Sequence, residues 1–137
     1  MKALHNKSEM ASLLAAAHGK LVVVDFHAEW CGPCKKIAPA LARMQKEFPH
    51  VCFASVDVDE APDIQEAYMV TAMPTFLLIE GGTRKGLVLS TVRGAMEDTL
   101  RSQIKSCAKA IGERDAPSAP SVSSPPYQLP PERPWAR

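Results

Sequence analysis

The stretch Leu21-Val22-Val23-Val24-Asp25-Phe26, followed after three residues by Trp30-Cys31-Gly32-Pro33-Cys34-Lys35, decides how this chain folds. Leu21 to Phe26 is an apolar run with three valines, the pattern of a central strand covered on both faces. Beyond Lys35, apolar residues recur at Ile37, Leu41, Met44 and Phe48, the stripe of an amphipathic helix. Pro33 fits the first turn of that helix, so the helix is predicted to begin near it. Pro39 then falls inside, removes one backbone hydrogen bond and is expected to kink the helix near residues 35 to 39. A strand that hands a Cys-x-x-Cys pair to the first turn of a helix is a device for making and breaking disulfides.

Before this centre, Lys2 to Asn6 reads as a short edge strand. Ser8 is the candidate N-cap of a first helix with Met10, Leu13, Leu14 and Ala17 on one face, and Gly19 is its stop. After the centre, Pro49-His50 breaks the pattern and Val51 to Val58 reads as a β-branched strand. Ala61 to Tyr68 is a short helix. Thr75 to Ile79 is an apolar strand that the turn signal Glu80-Gly81-Gly82 joins to Leu87–Val92 as a hairpin. Gly94 leads into a last helix striped by Leu100, Ile104, Cys107, Ala108 and Ile111. The order βαβαβαββα predicts an α/β fold, with a mixed central sheet, parallel first and antiparallel at its end, and helices on both faces.

Composition divides the 137 residues in two. Residues 1–111 are expected to form one domain. Residues 112–137 hold seven of the twelve prolines and four serines, a composition expected to stay disordered. Sixteen basic against 15 acidic residues leave a net charge of +1, which argues against nucleic acid or an anionic membrane as partner. No apolar run approaches the roughly 20 residues of a membrane span, and no export signal is read at the N-terminus. The expected setting is the reducing cytoplasm, where a Cys-x-x-Cys is redox-active or metal-binding rather than a structural staple.

The thiolate is the attacking species in disulfide exchange, and most free cysteine at neutral pH is thiol. A helix N-terminus supplies unpaired N–H groups and a positive dipole end at Cys31. The dipole is worth about 0.3–1 kcal/mol, less than the roughly 1.4 kcal/mol of one pKa unit, so hydrogen bonds to sulfur must supply the rest. Cys31, preceding the helix, is expected to be the exposed nucleophile, and Cys34 the buried resolving thiol. Gly32-Pro33 restrains the turn between the sulfurs. About 30 mV of reduction potential corresponds to about 1.4 kcal/mol, so small conformational preferences set the poise. Asp25 interrupts an apolar strand six residues before Cys31. It reads either as a buried proton acceptor for Cys34 or as a strand-end carboxylate that is solvated or hydrogen-bonded. Pro74, before Thr75, reads from the residues alone as an ordinary strand-opening proline.

Together, Val24-Asp25-Phe26, Ala28-Glu29-Trp30-Cys31-Gly32-Pro33-Cys34-Lys35, Pro39, Val56-Asp57-Val58-Asp59, Met73-Pro74-Thr75-Phe76 and Gly94-Ala95 resemble the thioredoxin family over roughly residues 2 to 111. The resemblance implies a thioredoxin fold and a dithiol–disulfide oxidoreductase that reduces protein disulfides and serves cell redox homeostasis without metal or organic cofactor. It implies that Asp25 is a buried acid and Pro74 a cis-proline against the active-site disulfide. It also implies a substrate-docking surface of Trp30, Gly32, Pro33, Ala72, Met73, Gly94 and Ala95, on which a client segment lies extended in strand-addition fashion. The implied partners are disulfide-containing client proteins and a thioredoxin reductase or low-molecular-weight dithiol as electron donor, with the chain itself a monomer.

Departures from the pattern are equally specific. His27 occupies a variable position beside the motif, where it reads as a loop residue or as a titrating neighbour of Cys31. Ser55 stands where bacterial relatives often place a lysine near the buried acid. The segment from Gly81 to Gly94 is a few residues longer than usual, which predicts a bulge or an extended loop and loosens the assignment of Gly94. Cys52 and Cys107 are expected to be packing residues. Pro125-Pro126-Tyr127 and Leu129-Pro130-Pro131-Glu132-Arg133-Pro134 suit a proline helix for an SH3- or WW-type domain. Three other readings compete: a binding module docked through that tail, a zinc site, and an oxidant or isomerase of an oxidising compartment. Zinc needs four ligands, and no second Cys pair stands at zinc-ribbon spacing.

Overall fold

The computed structural model describes residues 1–115. The elements run β1 (Lys2–Leu4), α1 (Lys7–Ala16), β2 (Leu21–His27), α2 (Gly32–Glu47), β3 (Cys52–Asp57), α3 (Pro62–Ala67), β4 (Thr75–Glu80), β5 (Leu87–Arg93) and α4 (Glu97–Asp115). This is the predicted order. The proline-rich segment and its SH3- or WW-type motif lie outside the described residues, but α4 carries on through Gly112 to Asp115, past the expected domain end at 111.

One mixed sheet has the order β1-β3-β2-β4-β5. β1 and β2 pair parallel with β3, while β4 pairs antiparallel with β2 and with β5. β2 is therefore flanked by strands on both sides, and its first six residues are all buried. Alternation sorts their side chains. Val22, Val24 and Phe26 join Leu14, Val56 and Ile64 in a core beneath α1 and α3. Leu21 and Val23 face the other way, into a core with Ile37, Met44, Phe76, Leu100 and Ile104 beneath α2 and α4. Asp25 follows Leu21 and Val23 and so projects from the α2 face.

One local expectation changes. The N-cap of α1 is Asn6, not Ser8: Asn6 is extended at φ −160° and its side chain accepts the Glu9 N–H at 2.9 Å, which leaves Ser8 inside the first turn. α2 is one continuous helix from Gly32 to Glu47 with Pro39 inside it. The longer hairpin does carry the predicted irregularity. Leu78 pairs with Ser90 but Ile79 pairs with Val88, so β5 holds one extra residue, Leu89. The bulge takes up this one residue before the far end of β5, where Thr75 pairs with Arg93 and Gly94 falls opposite Pro74.

Candidate active site

β2 ends at His27, and a short turn then carries the chain into α2. In that turn the Cys31 N–H donates to the Ala28 carbonyl at 3.1 Å. Cys31 is the N-cap of α2, with Gly32, Pro33 and Cys34 as the first helical residues. Its Sγ accepts the Cys34 N–H at 3.1 Å, so the sulfur satisfies a helix donor that would otherwise lack a partner. Cys31 and Cys34 form a disulfide with their Cα atoms 5.3 Å apart. The expected contrast in exposure is not observed. Cys31 is 4% exposed and Cys34 9%, so in the oxidised pair both sulfur-bearing residues are buried. Cys31 belongs to the same buried cluster as Val58, Ala61 and Val70, residues from distant parts of the chain, a membership that its helix-capping position does not reveal.

Asp25 is a buried acid and not a strand-end carboxylate, because β2 continues past it. Its neighbours across the sheet are Ser55 and Phe76. Its Oδ1 is buried with no hydrogen-bond partner. Burial pushes the carboxyl up to about 6, opposed by the positive charge of His27. A cavity of about 410 Å³ opens beside it, lined also by His27, Cys34, Lys35 and Ser55. Asp25 and Cys34 thus share one space although separate elements supply them.

The Met73–Pro74 bond is cis. Here the residues alone suggest an ordinary strand opener, and the family resemblance implies the observed geometry. The Gly94 N–H donates to the Pro74 carbonyl at 2.8 Å, and Gly94 adopts φ +94°, a conformation that favours glycine. Gly94 therefore stands beside Pro74 despite the longer hairpin. Gly32, Pro33, Ala72 and Ala95 are exposed, whereas Met73 is half-buried against the core. A Cβ on Gly32 would meet nothing within 4 Å, so packing does not demand a glycine there.

Two supporting residues carry no role in the sequence reading. Asp59 Oδ2 accepts the Trp30 indole N–H at 3.0 Å and holds a side chain that is 68% exposed. The Thr75 hydroxyl donates to the Ala72 carbonyl at 2.6 Å and braces the segment before Pro74. Asp59 belongs to the Val56-Asp57-Val58-Asp59 run, so its signal is present in the sequence, but a partner 29 residues away is set by the fold.

Cys52 is half-buried and Cys107 buried, and both are free thiols. Among the described residues no group of three or more His, Cys, Asp or Glu side chains is placed to hold a metal ion. No described helix is long and apolar enough to cross a membrane.

Comparison with known proteins agrees with this geometry. The thioredoxin family model matches residues 2–106. An H-type thioredoxin of Oryza sativa subsp. indica is 45% identical over 104 residues, spanning 74% of this chain and 82% of the relative. A thioredoxin of Geodia cydonium is 46% identical over 102 residues, spanning 74% and 93%. The X-ray structure of Fasciola hepatica thioredoxin superposes with a TM-score of 0.73 at 42% identity, covering 77% of this chain and 98% of that one. With its redox-active Cys31–Cys34 pair at the head of α2, the chain belongs to the thioredoxin family and is a thiol–disulfide oxidoreductase that reduces protein disulfides.

Proposed function

We propose that Cys31 attacks and Cys34 resolves, with Asp25 as the proton acceptor. The observation that carries this assignment is the Cys34 N–H directed at Cys31 Sγ, 3.1 Å away, at the N-terminus of α2. A donor already aimed at the sulfur favours its thiolate over the thiol. In the reduced protein the Cys31 thiolate attacks one sulfur of a client disulfide. A Cys31–client bond forms and the other client sulfur leaves as thiolate. Cys34 then gives its proton to the Asp25 carboxylate and attacks Cys31 Sγ. The mixed disulfide breaks, the second client thiolate leaves, and the Cys31–Cys34 disulfide remains. Two electrons have passed to the client, and the two sulfurs carry them without another cofactor.

The docking surface is Trp30, Gly32, Pro33, Ala72, Met73, Gly94 and Ala95. A client segment pairs with main chain before Pro74, and backbone pairing carries little sequence information, which suits a broad set of clients. Disulfide-containing proteins are the clients, as for thioredoxins, and a thioredoxin reductase is the electron donor that returns the Cys31–Cys34 disulfide to the dithiol. A low-molecular-weight dithiol is an alternative donor, and the working form is a cytoplasmic monomer.

Trapping tests the assignment. Cys34→Ser, incubated reduced with cell extract, should hold clients as mixed disulfides through Cys31, and dithiothreitol should release them. Recovery of no linked protein, with Cys31 shown to be reactive, would refute broad disulfide reduction. Equal capture by the double variant Cys31→Ser, Cys34→Ser would refute the choice of nucleophile.

A further inference from the structure

The cavity beside Asp25 is lined by groups that the exchange chemistry does not use, His27 among them. His27 lies two residues after Asp25 on β2, so both side chains leave the same face, roughly 6–7 Å apart along the strand. His27 is half-buried and lines the same cavity as Asp25 and Cys34. Across the sheet Asp25 meets Ser55 and Phe76, neither of which is a cation, and its Oδ1 has no hydrogen-bond partner.

We propose that His27 is a positioning residue for the proton step: as imidazolium on the cavity wall, it keeps the Asp25 carboxyl ionised, and able to accept the Cys34 proton, to lower pH than burial alone permits. The proposal rests on the reading of Asp25 as proton acceptor. The physical basis is the pairing of an acid that burial penalises with a cation at close range in a partly desolvated space. The two influences on the acid agree in sign with this: burial raises the Asp25 pKa, and His27 lowers it. The other charged groups at this site come from several elements. Lys35 enters from α2, Glu29 from the turn, and Met1, with the terminal amine, from ahead of β1. Asp57 of β3 pairs in register with His27.

The test reads the acid itself. In the full-length oxidised protein, the Asp25 carboxyl carbon is followed by NMR through a pH titration. His27→Asn is expected to move its midpoint upward by about half a unit to one unit. His27→Lys, which restores a cation, is expected to return the midpoint to the wild-type value or below. The rate at which Cys34 resolves a preformed mixed disulfide should follow the same shifts along the pH axis. A midpoint unmoved in His27→Asn, or raised equally in His27→Lys, overturns the proposal, as does an equal shift in His50→Asn, which lies outside the cavity. The two readings fail separately: Asp25→Asn resolving at the wild-type rate sinks the proton-acceptor role, whereas an unmoved carboxyl titration sinks the assignment of His27.

Discussion

The Gly94 N–H and the Pro74 carbonyl meet at 2.8 Å and join the end of β5 to the start of β4. The contact survives an extra residue in β5 because the bulge at Leu89 takes up the added length before Gly94 is reached. Gly94 sits at φ +94°, yet a Cβ there would find only Met96 Cγ at 3.9 Å. Substitution is therefore opposed by backbone conformation and not by crowding. Gly94→Val should destabilise the fold by about 1–3 kcal/mol in urea melts and weaken client binding, seen as a higher KM in disulfide reduction. Wild-type stability in the variant would show that the positive φ is not required.

Asp25 should make stability fall as pH rises. Its carboxyl is pushed from 3.8 up to about 6 in the folded state, so between these values the native protein binds the proton more tightly than the unfolded chain. Stability is then highest below about pH 4, declines through about pH 6 and levels above it. The full span corresponds to about 3 kcal/mol. Asp25→Asn should remove the decline and be the more stable protein at pH 8, while losing resolving activity. Denaturant melts at several pH values check this, and parallel wild-type and variant profiles would contradict it.

Asp59 should matter through Trp30 alone. Its carboxylate fixes an indole that is 68% exposed, at 3.0 Å from Nε1. Loss of an exposed hydrogen bond costs little stability, on the order of 0.5–1.5 kcal/mol at most. Freeing the indole would remove an ordered part of the proposed docking surface. Asp59→Ala should raise KM for client reduction a few-fold with kcat nearly unchanged, and should increase indole mobility in fluorescence anisotropy. An unchanged KM would remove Trp30 orientation from the recognition model.

The four cysteines should separate in reactivity once the disulfide is reduced. Burial raises the pKa of Cys52 and of Cys107, which keeps both as thiol at neutral pH. Cys31 has the Cys34 N–H to stabilise its thiolate. Brief alkylation at pH 7, read by peptide mass spectrometry, should label Cys31 well before Cys52 and Cys107. Equal labelling would contradict an activated Cys31.

How well each feature can be read in advance follows the range of the interaction behind it. The Cys31-to-Cys34 hydrogen bond spans three residues and follows from helix geometry, so the motif nearly announces it. The six buried residues at the start of β2 are equally plain, because only a strand covered on both faces sustains such a run. The cap of α1 is Asn6 and not Ser8 because both residue types cap well and only backbone dihedrals choose between them. The burial of Cys31 escapes a sequence reading because other members of its cluster, such as Val58, Ala61 and Val70, are remote along the chain. Asp25 is ambiguous for the same reason, as nothing within β2 reveals what closes over it.

By itself the sequence determined which residues alternate to the two faces of the sheet and that two thiols stand three residues apart at a helix head. These are consequences of periodicity and of short-range donors and acceptors. Only the tertiary structure decided that Asp25 and Cys34 face one cavity with His27, that Asp59 holds Trp30, and that Gly94 still meets Pro74 after a lengthened hairpin. Those relationships join separate elements, and pairing register and side-chain packing settle them only when the whole sheet is assembled.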